Sequence, residues 1–207
     1  MKSAPIVSII DDDRGVLKAL DRVLRGDGFE VRTFVSAYDF LSQYDPLQPG
    51  CVIIDLALPD LNGLELQQKL NQTSPKPSVI FLSGTADLPD GIQAMKNGAI
   101  DFLTKPIEAE NLLQSVRNAI RKDREFRNEQ ALVKNLGERF DTLSPREREV
   151  FAHVVQGELN KEIAVELHIV EKTVKVHRSR VIHKMGASSL PELVRMSERL
   201  GIGSKSR

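Results

Sequence analysis

Side chains able to carry ionic or nucleophilic chemistry stand at the ends of four apolar runs. Ile6 to Ile10 runs into Asp11, Asp12 and Asp13. Cys51-Val52-Ile53-Ile54 runs into Asp55, Val79 to Leu82 into Ser83, and Ile100 to Thr104 into Lys105 and Pro106. A short apolar run bounded by turn signals reads as a buried strand, here of the parallel kind. In an open α/β sheet the carboxyl ends of the strands are where ligands bind. If these strands are parallel neighbours, carboxylates, a hydroxyl and an ammonium converge on one rim. Clustered carboxylates repel one another, and hard oxygen donors of this kind suit Mg²⁺, which takes one or two of them and keeps waters for phosphate oxygens. An aspartate beside such an ion can attack a phosphoryl group and form an aspartyl phosphate. Lys105 would then be a point charge for phosphoryl oxygens and Ser83 a short donor. Taken singly, each Asp or Ser could be a helix cap and Lys105 a solvated surface group. The joint pattern across four strand ends argues for chemistry.

The elements that would position these residues alternate. Strands are expected at Ile6–Ile10, Glu30–Phe34, the run ending at Asp55, Val79–Leu82 and Ile100–Leu103. Helices are expected at Arg14–Gly26, Ser36–Tyr44, around Leu64, Leu66 and Leu70, and at Pro89–Asn97. Helix-length spacers between strands imply right-handed crossovers and a doubly wound five-stranded parallel sheet. From Glu108 the pattern is helical. Leu112, Leu113, Val116, Ala119 and Ile120 form one apolar stripe. The all-charged segment Arg121 to Glu125 breaks it, and a weaker stripe follows at Phe126, Val133, Leu136 and Phe140. That stretch, 121–140, reads either as a solvated extension of the last sheet-packing helix or as a dimerising coiled coil.

Ser144-Pro145-Arg146-Glu147 has the form of a capping box with proline at the first helical position. Four short helices are expected after it: Pro145–Gln156, Asn160–Leu167, Glu171–Met185 and Pro191–Leu200. The formal charge is zero over 207 residues, but it is unevenly spread. Residues 1–122 carry 13 basic and 16 acidic groups, and residues 141–207 carry 12 and 9. Halves of opposite sign point to two domains with different partners. Lys172 to Lys184 holds five basic residues and no acid. In the helix Glu171–Met185, Val174, Val181, Ile182 and Met185 share one face. Lys172, Lys175, Val176, Ser179 and His183 share the other, a face suited to the DNA major groove.

Apolar content of 41% and charged content of 28% are those of an ordinary soluble protein. No apolar run approaches the ~20 residues of a membrane helix, and Asp11 interrupts the first one, so neither a membrane span nor a signal peptide is expected. The lone Cys51 excludes an internal disulfide and suggests a reducing, cytoplasmic setting.

Residues 1–120 resemble a two-component response-regulator receiver domain of flavodoxin-like fold. The resemblance lies in Ile10-Asp11-Asp12-Asp13, Asp55 with Pro59 and Gly63, Ser83-Gly84, and Phe102-Leu103-Thr104-Lys105-Pro106. By position it implies that Asp55 is the phosphoacceptor. It also implies that Asp11, Asp12, Asp55 and the Ala57 carbonyl hold Mg²⁺, that Ser83, Lys105 and Phe102 contact the phosphoryl group or switch with it, and that Lys105–Pro106 is cis. The family more often has Thr at the Ser83 position; serine lacks the methyl that stiffens the rotamer.

Residues 141–207 resemble a LuxR-type helix-turn-helix, through Leu143 to Val150, Asn160-Lys161-Glu162-Ile163-Ala164, Thr173-Val174-Lys175-Val176-His177 and Lys184-Met185. Together the halves are similar to the NarL/FixJ subfamily, its FixJ-like branch best, joined by a helical linker at 121–140. The resemblance implies a transcription regulator, an activator and not an enzyme, whose partners are a sensor histidine kinase, promoter DNA, RNA polymerase and, on phosphorylation, a second copy. Lys175, Val176 and Ser179 are the expected base readers. Lys172, Thr173, Arg178, Arg180 and Lys184 are expected to complete the DNA contacts, chiefly to phosphates. Valine stands at position 170, where the family usually has a capping serine. Two rival functions remain at this point: a DNA binder whose receiver is vestigial, and a phosphatase that forms an aspartyl phosphate. The phosphatase usually needs an aspartate two residues after its nucleophile, and position 57 is alanine.

Overall fold

A computed structural model describes residues 4–84 and 88–202. The chain divides into two units, Met1–Arg127 and Asn128–Arg207.

The first unit alternates β1 (Ile6–Ile10), α1 (Arg14–Gly26), β2 (Glu30–Phe34), α2 (Ala37–Gln43), β3 (Gly50–Asp55), α3 (Gly63–Leu70), β4 (Ser78–Ser83), α4 (Leu88–Lys96) and β5 (Asp101–Thr104). The strands form one parallel sheet in the order β2-β1-β3-β4-β5. The order reverses at β1 and β3, which makes their carboxyl ends the switch point of the sheet. Every residue of β3 and β4 is buried, as near-continuous apolar runs in a two-sided parallel sheet require.

Alternation along each strand sends side chains to opposite faces. Ile10, Val52, Ile54, Val79 and Phe81 join Phe40, Leu66, Leu70 and Ala94 from α2, α3 and α4 in one core layer. Val7, Ile9, Ile53, Ile80 and Leu82 join Leu17, Leu20 and Leu24 of α1, and Leu112, Val116 and Ala119, in the other.

Those last three residues belong to α5, which runs unbroken from Ala109 to Asp141, 33 residues. The charged segment 121–125 does not end the helix, and Asp123 within it is buried. Residues up to Arg127 go with the first unit, whereas Leu136 is buried, and Phe140 half-buried, in the core of the second. Two of the four heptad-spaced residues are therefore used inside the second unit, while Phe126 is exposed.

The second unit adds α6 (Pro145–Val155), α7 (Asn160–Glu166), α8 (Glu171–Met185) and α9 (Leu190–Arg199) around Val150, Phe151, Val154, Ile163, Val174, Val181, Met185 and Leu193. The capping box forms: the Ser144 N–H donates to Glu147 Oε2 at 2.9 Å, and the Glu147 N–H to Ser144 Oγ at 3.3 Å. α7 and α8 are joined by a Schellman turn. His168 takes φ 53°, its N–H donates to Val165 O, and the Ile169 N–H donates to Ala164 O. Val170 is the N-cap of α8 and offers no side-chain acceptor.

Candidate functional site

The acidic rim is built by β1, β3, β4 and the turn after β5. Asp11 follows β1 and is fully buried; Asp55 is the last residue of β3 and is also buried. The Lys105 ammonium lies between them, 2.7 Å from Asp11 Oδ2 and 2.6 Å from Asp55 Oδ1. The other oxygens of the two carboxylates accept backbone N–H groups. Asp11 Oδ1 takes Asp13 N–H at 2.9 Å, and Asp55 Oδ2 takes Ala57 N–H at 2.8 Å.

Burial pushes the Asp11 carboxyl above its ordinary pKa, against the opposing pull of Lys105 and the Asp13 N–H. Burial would also lower Lys105, but its bonds to Asp11 and Asp55 outweigh that and hold the ammonium above its ordinary value. The pair therefore stays ionic on the lysine side, and the lysine keeps about a quarter of its side chain in solvent.

Ser83 ends β4 and is buried, and its carbonyl accepts the Lys105 N–H at 2.7 Å. Phe102 is half-buried in β5, its ring centroid 6.4 Å from that of Phe81. The Lys105–Pro106 bond is cis. Asp12 and Ala57 are exposed beside this group. Asp11, Asp55, Ser83 and Lys105 thus meet at one rim, as the four strand ends suggested. Asp13 does not join them: its Oδ1 caps α1 through the N–H groups of Gly15 (2.6 Å) and Val16 (3.3 Å).

Two buried carboxylates share one ammonium, so the rim keeps surplus negative charge on hard oxygen donors, of which Mg²⁺ takes one or two. Among the described residues no three Asp, Glu, His or Cys side chains gather closely enough to hold a metal by themselves. Gly63 opens α3 directly under the site. A Cβ there would lie 2.7 Å from the Asp55 carbonyl oxygen, so only glycine lets the helix come this close.

Two supports went unseen in the sequence. The Tyr38 N–H at the start of α2 donates to Asp60 Oδ2 at 3.0 Å, tying the loop after Asp55 to the neighbouring helix. Asp123 is buried in α5 with Arg127 one turn on. An aspartate after a strand and before a helix is a usable cap signal, which would have found Asp13. Nothing local marks Asp60 or Asp123.

The second cluster is α8. Val174, Val181 and Met185 face the core, and Ile182 is half-buried. Lys172, Lys175, Val176, Ser179, Arg180 and His183 are exposed; Thr173 and Arg178 are half-buried. Lys175 pairs with Glu171 at 3.1 Å, both well exposed, a pair worth little in water and easily exchanged for another anion. Arg178 donates to Asn160 Oδ1 at 3.0 Å, bracing α8 against α7. Lys184, expected at phosphate, is engaged within the fold in this structure. Its ammonium is 2.6 Å from Oε2 of the buried Glu147 and 3.0 Å from the Thr142 carbonyl oxygen. Lys184 and the Ser144 N–H hold the Glu147 carboxyl down at about 2. Lys184 therefore closes the charge of a buried carboxylate.

Comparison with known proteins finds a relative for each of the two parts of the chain. Residues 7–117 match the response regulator receiver domain, and residues 141–197 match the bacterial regulatory proteins of the luxR family. The chain is 42% identical over 195 residues to the response regulator protein TmoT of Ectopseudomonas mendocina, covering 94% of this chain and 89% of that one. It is 39% identical over 197 residues to the transcriptional regulatory protein FixJ of Bradyrhizobium diazoefficiens, covering 95% and 96%. Among solved structures, the response regulator StyR superposes with a TM-score of 0.82 at 38% identity, over 95% of this chain and all of that one. Full-length FixJ from B. japonicum superposes with a TM-score of 0.59 at 38% identity, over 96% and 98%.

Proposed function

The chain belongs to the two-component response regulators with a LuxR-type DNA-binding output, and from that premise we propose how its residues divide the work. The protein is a DNA-binding transcription regulator of a two-component system. The observation that carries the finer assignment is the single ammonium of Lys105 held between the buried carboxylates of Asp11 and Asp55.

Asp55 is the nucleophile that takes a phosphoryl group from a sensor histidine kinase. Asp11, Asp12, Asp55 and the Ala57 carbonyl would hold Mg²⁺, whose chemistry there is to offset the charge of the phosphoryl oxygens. Lys105 exchanges its Asp55 partner for a phosphoryl oxygen, and Ser83 donates to another. That draws β4 and β5 together at their ends and lets the Phe102 ring, which here lies against Gly91 of α4, turn inward.

The remodelled surface makes a homodimer, which supplies the two-fold symmetry a repeated site needs. Lys175, Val176 and Ser179 then read bases in the major groove, with Lys172, Thr173, Arg178 and Arg180 along the backbone. The regulator works in the cytoplasm, as an activator that presents RNA polymerase to the promoter; among the described residues no helix is long and apolar enough to cross a membrane.

The test is a titration of DNA selected from a random pool, with and without acetyl phosphate and Mg²⁺, on the native chain and on Asp55→Asn. The native chain gains affinity with the phosphodonor and the variant does not. Equal affinity of the native chain in both conditions would make the receiver vestigial. An unimpaired response in Asp55→Asn would move the phosphoacceptor elsewhere.

A further inference from the structure

The charged segment that interrupts the apolar stripe of α5 contains a carboxylate that solvent does not reach. Asp123 is 3% exposed. Its Oδ1 and Oδ2 each accept from Arg127 Nε at 2.9 Å, and Oδ2 also accepts the Gly50 N–H at 3.0 Å. The rest of the Arg127 guanidinium is directed at backbone. Nη1 donates to Leu47 O at 3.1 Å, and Nη2 to Pro46 O at 3.0 Å and Gln48 O at 2.9 Å. Every nitrogen of the guanidinium is thus used, and three carbonyls of one loop are satisfied by one side chain.

Gly50 cannot be otherwise. It stands at φ +146°, and a Cβ there would fall 1.9 Å from the Ile6 carbonyl oxygen. The loop 46–49 leads directly into β3, whose six residues, from Gly50 on, are all buried and whose last is Asp55. One end of that strand therefore carries the proposed phosphoacceptor and the other is fastened to α5. The fastening lies beyond residue 117, where the match to the receiver family ends, and just before the wholly exposed stretch 128–132 of the same helix.

We propose that Asp123 and Arg127 are positioning residues for the output: they hold α5 to the amino end of β3 and fix the direction in which the helix leaves the first unit. This rests on the reading of Asp55 as phosphoacceptor. An exposed pair four residues apart would add little. This one is buried and fully bonded, so removing one partner leaves either a buried carboxylate or three carbonyls without donors. Without the clamp, the remaining holds of the first unit on the helix lie at or before Ile120: Leu112, Val116 and Ala119 with the half-buried Leu113 and Ile120, the Ser115–Asp101 bond and the exposed Arg117–Asp27 pair. Its last turns in the first unit then fray, and a change at Asp55 reaches the output helix less well.

The experiment uses the full chain with Arg127→Gln, Arg127→Lys and the paired replacement Asp123→Leu with Arg127→Met. The pair of apolar residues leaves no unpaired charge and so guards against simple unfolding. Three quantities are read: phosphoryl uptake from acetyl phosphate, hydrogen exchange of amides 119–131, and the ratio of DNA affinities with and without phosphodonor.

Uptake is expected within about twofold of the native chain, because none of the changed residues touches the rim. Exchange in α5 is expected to rise by about tenfold or more, since local opening follows the contacts that resist it, and the affinity ratio to fall toward one. A role confined to stability would change both affinities and leave their ratio. Native protection together with a native ratio in the folded variants overturns the proposal. If the native chain itself takes up no phosphoryl group, the reading of Asp55 fails instead, and the exchange data alone decide whether the clamp holds the helix.

Discussion

At the scale of single residues, burial decides what a charge does. Lys105, Lys175 and Lys184 are chemically identical. Lys105 lies between two buried carboxylates and is placed to change partners. Lys175 meets only an exposed glutamate and stays available to a ligand. Lys184 neutralises Glu147, which is buried and must be paired. Its folded pKa of about 2 lies below the ordinary 4.5, so Glu147 stabilises the fold fully above about pH 4.5. That contribution is lost as pH falls from there toward 2. An acid titration of the second unit's stability should show this loss in the native chain and a flatter profile in Glu147→Gln, which is already less stable at neutral pH. Gly50→Ala should cost about 3 kcal/mol or more, because no L side chain fits against the Ile6 carbonyl. Chemical denaturation of the first unit measures it.

At the scale of elements, the helix ends carry the testable margins. α6 has a complete capping box, whereas α8 begins at Val170 with none. Val170→Ser should supply the missing acceptor and stabilise the second unit by about 1 kcal/mol. For a domain of this size that means a melting temperature higher by about 4–8 °C; an unchanged melting temperature would count against it. The exposed face of α8 makes a further distinction. Arg180→Ala should lower the slope of log affinity against log salt by about 0.9, one phosphate contact's worth. Lys184→Ala should leave that slope alone and lower the melting temperature instead, because its ammonium is engaged inside the fold.

At the scale of the whole molecule, two units of opposite charge balance share one continuous helix. Its first part packs on the sheet and its last turns help fill the second core, so the helix belongs to both. The sequence by itself determined the strands and their ends. A fully buried parallel strand must be apolar throughout, so the Asp, Ser or Lys that stops the run is visible in one dimension, and Asp11, Asp55, Ser83 and Lys105 could be picked out together. The capping box at Ser144 and the two faces of α8 were legible for the same reason: turn chemistry and helical period are local. That 121–140 continues the last sheet-packing helix was one of the two readings open in the sequence; what was not legible is that Asp123, inside an all-charged segment, is buried. Only the tertiary structure brings Gly50 and residues 46–48 to Asp123 and Arg127, 73 to 81 positions away in the chain. The same holds for Lys184 and Glu147, 37 residues apart. A charge is costly to bury until a partner arrives from elsewhere in the fold, and no local pattern announces that arrival.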